Sequence, residues 1–254
     1  MRSIAVLVFP GTNSEEETLR LLRDCGGDAE LVHWSRAKML GGFDAYVLPG
    51  GFAYEDRIRA GAVAAHDEAM DAVVAAAHSG KLVLGICNGA QILLEAGLVP
   101  GTGEGRGPTA AFTNNAPVPH FVCRHVYLRL AVAPDRCAIT ASLPAAALIP
   151  AYAAHGEGRL AASNEHLDEI VRGDHIAFVY ANAAGETAES ASPNGSALGC
   201  AGLVNVEGNV LAIMPHPERD GWNFNHLDRC EGDDVLAPSG GAALFRSFVA
   251  AVNA

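Results

Sequence analysis

In Lys81-Leu82-Val83-Leu84-Gly85-Ile86-Cys87-Asn88-Gly89-Ala90-Gln91 an apolar run ends in a cysteine bracketed by glycines, and a helical pattern starts directly after it. Glycines on both sides allow a sharp reversal from strand to helix with the Cys87 side chain at the apex. That is the form of the strained elbow that presents a nucleophile above an α/β sheet. The helix start adds unpaired N–H groups and a partial positive charge, which favour negative charge on a side chain held there. Free cysteines are most often buried filler, the reading given to Cys123, Cys137 and Cys200. The glycine bracket reverses that expectation for Cys87.

Working outward, the first hundred residues alternate strand and helix patterns. Ile4–Phe9 reads as a continuous apolar strand, followed by the turn Pro10-Gly11-Thr12-Asn13. Ser14 and Glu17 have capping-box spacing, and the helix they open runs to Gly26-Gly27. Ala29–Trp34 and Phe43–Leu48 read as strands, the second ending in Pro49-Gly50-Gly51. Ala60–His78 is Ala-rich and helical up to Gly80; Leu82–Ile86 is the next strand and Asn88–Ala96 the next helix. Strands this apolar, joined by helices, predict a parallel sheet covered on both faces. The second half is richer in strands, read at Phe121–Val132, His175–Asn182, Leu198–Asn205 and Val210–Met214. His166–Arg172 and Ala242–Val252 read as helices, and residues 101–119 and 183–197 as loops. The stretch 226–238, with Glu231, Asp233 and Asp234, reads as an acidic surface insertion within a single domain covering 1–254.

Composition narrows the function classes. The 254 residues are 50% hydrophobic and 18% charged, which places the chain among globular proteins. A net charge of −12 with no basic run argues against nucleic-acid binding. The longest apolar stretches fall well short of the ~20 residues of a membrane span, and residues 4–9 already read as a core strand rather than a leader. The six cysteines are dispersed without a CxxC pair, which points to a reducing cytoplasm rather than a disulfide scaffold. The ten histidines show no metal-ligand spacing with them, so no metal and no cofactor are expected in this chain.

A thiolate nucleophile needs a base, and the base needs an orienting partner. The strand Val210–Met214 runs into Pro215-His216-Pro217-Glu218-Arg219, where two prolines stiffen the segment around His216 and Glu218 follows two residues on. Cys87 and His216 both follow apolar strands, and ligands bind at the carboxyl ends of strands in open α/β sheets. Cys87, His216 and Glu218 are therefore expected to meet there. Attack on an amide creates an oxyanion that needs N–H donors. Gly51 and Asn88 offer their backbone N–H groups, while Gln91 lies one helical turn past Cys87. Taken alone, Pro-His-Pro is a rigid turn and Pro-Gly-Gly only a turn; the combination carries the reading.

Leu48-Pro49-Gly50-Gly51, Gly85-Ile86-Cys87-Asn88-Gly89-Ala90-Gln91 and His216-Pro217-Glu218 resemble the three signature sites of class I, triad-type glutamine amidotransferases. Phe9–Asn13, Gly51-Phe52, Arg59–Gly61, His155–Arg159, Pro193–Ser196 and Met214–Arg219 resemble one subfamily, the glutaminase subunit of phosphoribosylformylglycinamidine synthase. The resemblance implies an open, mostly parallel, flavodoxin-like α/β sheet with helices on both faces and a β-rich second half. It implies hydrolysis of L-glutamine through a thioester on Cys87, with His216 moving the proton, Glu218 orienting it, Gly51 and Asn88 as oxyanion donors, and Gln91 holding substrate. A synthetase subunit using ATP and Mg, joined by a small bridging subunit, would take the ammonia. The rival readings are a glutaminase serving GMP, carbamoyl phosphate or imidazole synthesis, a cysteine hydrolase or chaperone on the same sheet, and a silent docking module. Ala53, Glu55 and Ser14 depart from the subfamily pattern, which has Ser, Gly and a common cysteine there.

Overall fold

The computed structural model describes residues 2–102, 107–227 and 229–254. In chain order the elements are β1 (Ser3–Val8), α1 (Glu15–Asp24), β2 (Asp28–His33), α2 (Ala37–Leu40), β3 (Ala45–Leu48), α3 (Glu68–His78), β4 (Leu82–Ile86), α4 (Asn88–Glu95), β5 (Ala110–Asn114), β6 (Val122–Leu130), β7 (Leu148–His155), β8 (Glu157–Ala162), α5 (Asn164–Arg172), β9 (Ile176–Ala181), β10 (Cys200–Val204), β11 (Val210–Ile213) and α6 (Ala242–Asn253). Nine strands form one sheet in the order β2-β1-β3-β4-β11-β10-β9-β6-β7, and β5 pairs with β8 in a separate ribbon.

The strands from β2 to β11 pair in parallel, and those from β11 to β7 pair antiparallel. The parallel part has the 2-1-3-4 start of a flavodoxin-like sheet. β1 to β2 steps toward one edge and β3 to β4 steps the other way. Right-handed crossovers therefore place α1 and α3 on opposite faces. Burial on both faces explains the unbroken apolar runs: Ile4 to Leu7, Ala45 to Val47, Val83, Leu84 and Ile86 are fully buried. The antiparallel strands are the β-rich second half.

Three sequence expectations change. Ser14 heads α1 without a side-chain cap bond, because its hydroxyl is spent on Gly50: it accepts from the Gly50 N–H at 2.8 Å and donates to the Gly50 carbonyl at 3.3 Å. The capping box is thus replaced by a long-range clamp. The Ala60–His78 helix starts only at Glu68, where Asp67 accepts from the Ala69 N–H at 2.9 Å and caps it. Alanine content had masked that break. Strands β5, β7 and β8 were not legible; β5 falls inside the stretch read as a loop, residues 101–119, of which 103–106 lie outside the described residues. Alanines make up much of β7 and β8, and Ile149 is the single β-branched residue in the two, too weak a signal to mark them. The 226–238 segment is largely exposed, apart from residue 228, which lies outside the described residues, and it folds back through a bridge between Trp222 and Pro238. Among the described residues no helix is long and apolar enough to cross a membrane.

Candidate active site

β3, β4 and β11 are neighbours and parallel, with Leu48 opposite Gly85 and Ile213 opposite Ile86. Their carboxyl ends therefore lie on one edge. The three segments that leave that edge carry Gly50-Gly51, Cys87 and His216. A Cβ placed on Gly50 would overlap the His216 ring and come within 3.2 Å of Cys87 Cβ, so only a glycine lets them converge.

Cys87 takes φ 51° and ψ −108°, a conformation that L side chains rarely adopt. Such strain costs on the order of 1–3 kcal/mol and persists only where packing holds it. Here the Cys87 N–H donates to the Ile213 carbonyl at 2.8 Å, and its own carbonyl accepts from the Gln91 N–H at 3.1 Å. The flanking glycines do a different job from the one expected. Neither bends with positive φ; the cysteine does. A Cβ on Gly85 would meet Leu93 Cδ1 at 2.5 Å, and one on Gly89 would overlap the Leu48 carbonyl. The glycines let α4 settle onto β3 and β4, and that close seat forces the bend onto Cys87.

His216 is fully buried, its backbone paired in both directions with Tyr152 at 2.8 and 3.1 Å. Its Nδ1 donates to Glu218 Oε1 at 2.5 Å, and Glu218 is fully buried too. The other ring nitrogen, Nε2, is buried with no hydrogen bond of good geometry among the described residues. Burial alone would lower the His216 pKa. The Glu218 carboxylate, and Cys87 on the Nε2 side, outweigh it and push the value up to about 10. An imidazolium beside a cysteine is the arrangement in which the sulfur attacks as thiolate.

Gly51 sits at φ +156°, where a Cβ would come within 2.5 Å of the Gly11 carbonyl. Hydrogen bonds from Phe52 N–H to Gly11 and from Asn13 N–H to Gly50 fix the turn on either side and leave the Gly51 N–H unpaired among the described residues. The Asn88 N–H opens α4 and has no intrahelical acceptor. The Asn88 side chain is fully committed: it accepts from the Ala53 N–H at 2.9 Å and donates to Asp56 Oδ1 at 3.0 Å and Gln91 Oε1 at 2.9 Å. Gln91, 5% exposed, donates to the Glu157 carbonyl at 2.6 Å. Both amides therefore tie the loop after Gly51 and the start of β8 to the nucleophile's helix. Gln91 is placed as a positioning residue, and its second amide N–H has no acceptor among the described residues.

The segment His155–Arg159, which had no physical account in the sequence, is the other wall. Cys87 Sγ lies 3.9 Å from the Ala154 carbonyl. His155 is buried beside His216, neither ring nitrogen has a partner among the described residues, and burial lowers its pKa to about 4. The backbone here is gripped by residues that spacing could not assign. Asn115 donates to the His155 carbonyl at 2.9 Å and accepts from the Gly158 N–H at 3.0 Å. Asn194 donates to the Gly158 carbonyl at 2.7 Å, and Ser196 accepts from the Leu160 N–H at 3.0 Å. This explains the Pro193–Ser196 motif. Asp56 faces Glu157; burial, then repulsion from Glu157, raise the Asp56 pKa to about 6. Two carboxylates thus line the same rim.

The arrangement sets a strained cysteine against a buried imidazole–carboxylate pair, with two backbone N–H groups unpaired among the described residues, the disposition expected of a triad-type glutamine amidotransferase. Residues 1–250 match the family described as CobB/CobQ-like glutamine amidotransferase domain. Phosphoribosylformylglycinamidine synthase subunit PurQ of Methanothrix thermoacetophila is 40% identical over 85% of this chain and 86% of its own length, and that of Nitrobacter hamburgensis 39% over 97% and 96%. The structure of PurLQS from Thermotoga maritima contains a chain that superposes with TM-score 0.76 at 28% identity, covering 98% of this chain and 99% of that one. The glutaminase domain of Trypanosoma brucei CTPS, at 14% identity and TM-score 0.57 over 100% of this chain and 94% of its own, shares the fold. The chain belongs to the glutamine amidotransferases, in the PurQ family.

Proposed function

We infer that this chain is the glutaminase subunit of phosphoribosylformylglycinamidine synthase, an enzyme of purine biosynthesis, in which it hydrolyses L-glutamine and hands ammonia to a synthetase subunit. The observation that carries the chemistry is the strained Cys87 elbow facing a buried His216–Glu218 pair. In the proposed mechanism the Cys87 sulfur attacks the side-chain amide carbon of glutamine. The carbonyl oxygen takes the charge and is met by the Gly51 and Asn88 N–H groups; each such donor is worth about 3–4 kcal/mol in acyl transfer. His216 gives its proton to the departing nitrogen, which leaves as ammonia, and a glutamyl thioester remains on Cys87. His216, now neutral, takes a proton from water, which attacks the thioester and releases glutamate. Glu218 holds the ring throughout.

The Asp56 and Glu157 carboxylates suit the α-ammonium of the same substrate. Gln91 contributes by holding Glu157 in place and by its remaining N–H. No resident cofactor enters this scheme; ATP and Mg belong to the synthetase. The synthetase partner is supported by the assembly named for the Thermotoga chain, and a small third subunit is the further expectation. Phe52 and Ile58 stand exposed on the loop after Gly51, where a docked synthetase would reach the oxyanion donors. The test compares glutamine-dependent and ammonia-dependent synthesis by the reconstituted complex, with wild type and Cys87→Ala. Retained ammonia-dependent and lost glutamine-dependent activity supports the reading; normal glutamine use by the variant contradicts it.

A further inference from the structure

His125 on β6 lies 95 residues before Asp220, just past the catalytic Glu218, and His226 follows Asp220 by six at the start of the acidic insertion; the histidine–cysteine spacing that argued against a metal takes no account of such a set. In space their donor atoms converge. His125 Nε2 is 2.8 Å from Asp220 Oδ2, and His226 Nδ1 is 2.9 and 3.2 Å from the two carboxylate oxygens. One ligand atom from each residue lies within 4.8 Å of the others. Asp220 is fully buried, and its ion-pair partners among the described residues are these two imidazoles, with no lysine or arginine.

We propose that His125, Asp220 and His226 form a binding site for a divalent transition metal of the zinc class, with two imidazole nitrogens and one carboxylate oxygen as ligands. Ligand atoms at about 2.0–2.1 Å from a tetrahedral metal stand roughly 3.3 Å apart. The present N···O separations need to open by only a few tenths of an ångström, and the two imidazole nitrogens, within 4.8 Å of each other, close by up to about 1.5 Å. His226, partly exposed, makes the entry side, with room for a water as fourth ligand. Each neutral imidazole then carries its proton on the far nitrogen. A cation also supplies the positive charge that a buried carboxylate requires. The surroundings hold two of the ligands, the carboxylate by a hydrogen bond and the His125 ring by packing. The Ser239 hydroxyl donates to Asp220 Oδ1 at 2.7 Å, and the rings of Tyr127 and Tyr152 lie edge-on to His125 with centroids 5.0 Å away.

The site is mechanically joined to the catalytic segment. Tyr152 packs on His125, pairs with the His216 backbone, and donates from its hydroxyl to the Asn225 carbonyl at 2.8 Å. A bound metal braces the insertion against the turn that carries His216 and Glu218.

The test is a titration of the full chain with Co²⁺ in a Cys87→Ser background, which removes the catalytic thiolate as a competing ligand. The expected result is saturation at one equivalent, with visible ligand-field bands and no thiolate charge-transfer band. His226→Gln, at the partly exposed ligand, should weaken uptake at least ~10-fold while leaving the folded spectrum intact. Zn²⁺ should displace the cobalt and raise Tm of the His226-bearing protein only. Absence of a one-equivalent phase, a thiolate band, or equal uptake by His226→Gln would overturn the site and leave the three residues as a hydrogen-bonded brace.

Discussion

The parallel part of the sheet and the antiparallel part meet at the site but hold their residues by different physics. On the parallel side, β4, Cys87 and α4 are fixed by steric fit: Gly85 and Gly89 admit the helix, and the cysteine takes the strain at φ 51°. On the antiparallel side the walls are fixed by buried polar side chains reaching across the chain, with Asn115, Asn194 and Ser196 gripping residues 155–160. His216 belongs to both sides: it follows β11, paired to β4, while its backbone is paired to Tyr152 on β7. The Cys87 elbow is thus placed by packing, and the walls that face it are placed by hydrogen bonds. Mutations should separate the two.

The largest effect is expected at the nucleophile. Cys87→Ala should lower glutamine hydrolysis by at least ~10³-fold while Tm holds or rises slightly, since removing a nucleophile removes the covalent route and not the packing. Glu218→Gln comes next, with kcat lower by roughly 10²–10⁴-fold. Its pH signature has a definite sign. Glu218 raises the His216 pKa, so wild type keeps the imidazolium acid up to about pH 10; without that charge the alkaline limb of kcat must move to lower pH. An unmoved limb would separate Glu218 from His216.

Asn194→Ala probes the other side. It leaves the buried Gly158 carbonyl and Ser196 N–H unpaired, which costs about 1–3 kcal/mol of stability in denaturant unfolding. KM for glutamine should rise more than kcat falls, because the wall recognises and does not react. Asp56→Asn gives a smaller effect. Asp56 ionises as pH rises through about 6, so in wild type KM for glutamine should increase as pH drops below that value, and the variant should lose this dependence. The smallest effect is at Glu55, held at φ 61° and exposed. Glu55→Gly removes left-handed strain of about 1 kcal/mol, partly offset by backbone entropy, so Tm should rise by a few degrees at most.

This division also explains what could be read from residues alone. The elbow, the strands around it, and Cys87, Gly51, Asn88, His216 and Glu218 lie in local patterns of apolar runs, glycines and prolines. The grip on residues 155–160 depends on Asn115 and Asn194 pairing with backbone 36 to 43 positions away, and no period records that. Ser14 was misread for the same reason: capping spacing is local, whereas its partner is Gly50. For Gln91 the substrate role comes from the family resemblance alone, and its bond to Glu157 appears only in three dimensions. The His125–Asp220–His226 cluster is the extreme case, with His125 95 residues away from Asp220.

The most direct test of the account is intact-mass analysis of the acid-quenched protein during turnover of L-glutamine, followed by peptide mapping. The account predicts one glutamyl adduct, on Cys87, absent from Cys87→Ala. A glutamyl adduct on the exposed Cys123 or Cys230 instead, or turnover without any adduct in wild type and undiminished in Cys87→Ala, would contradict it.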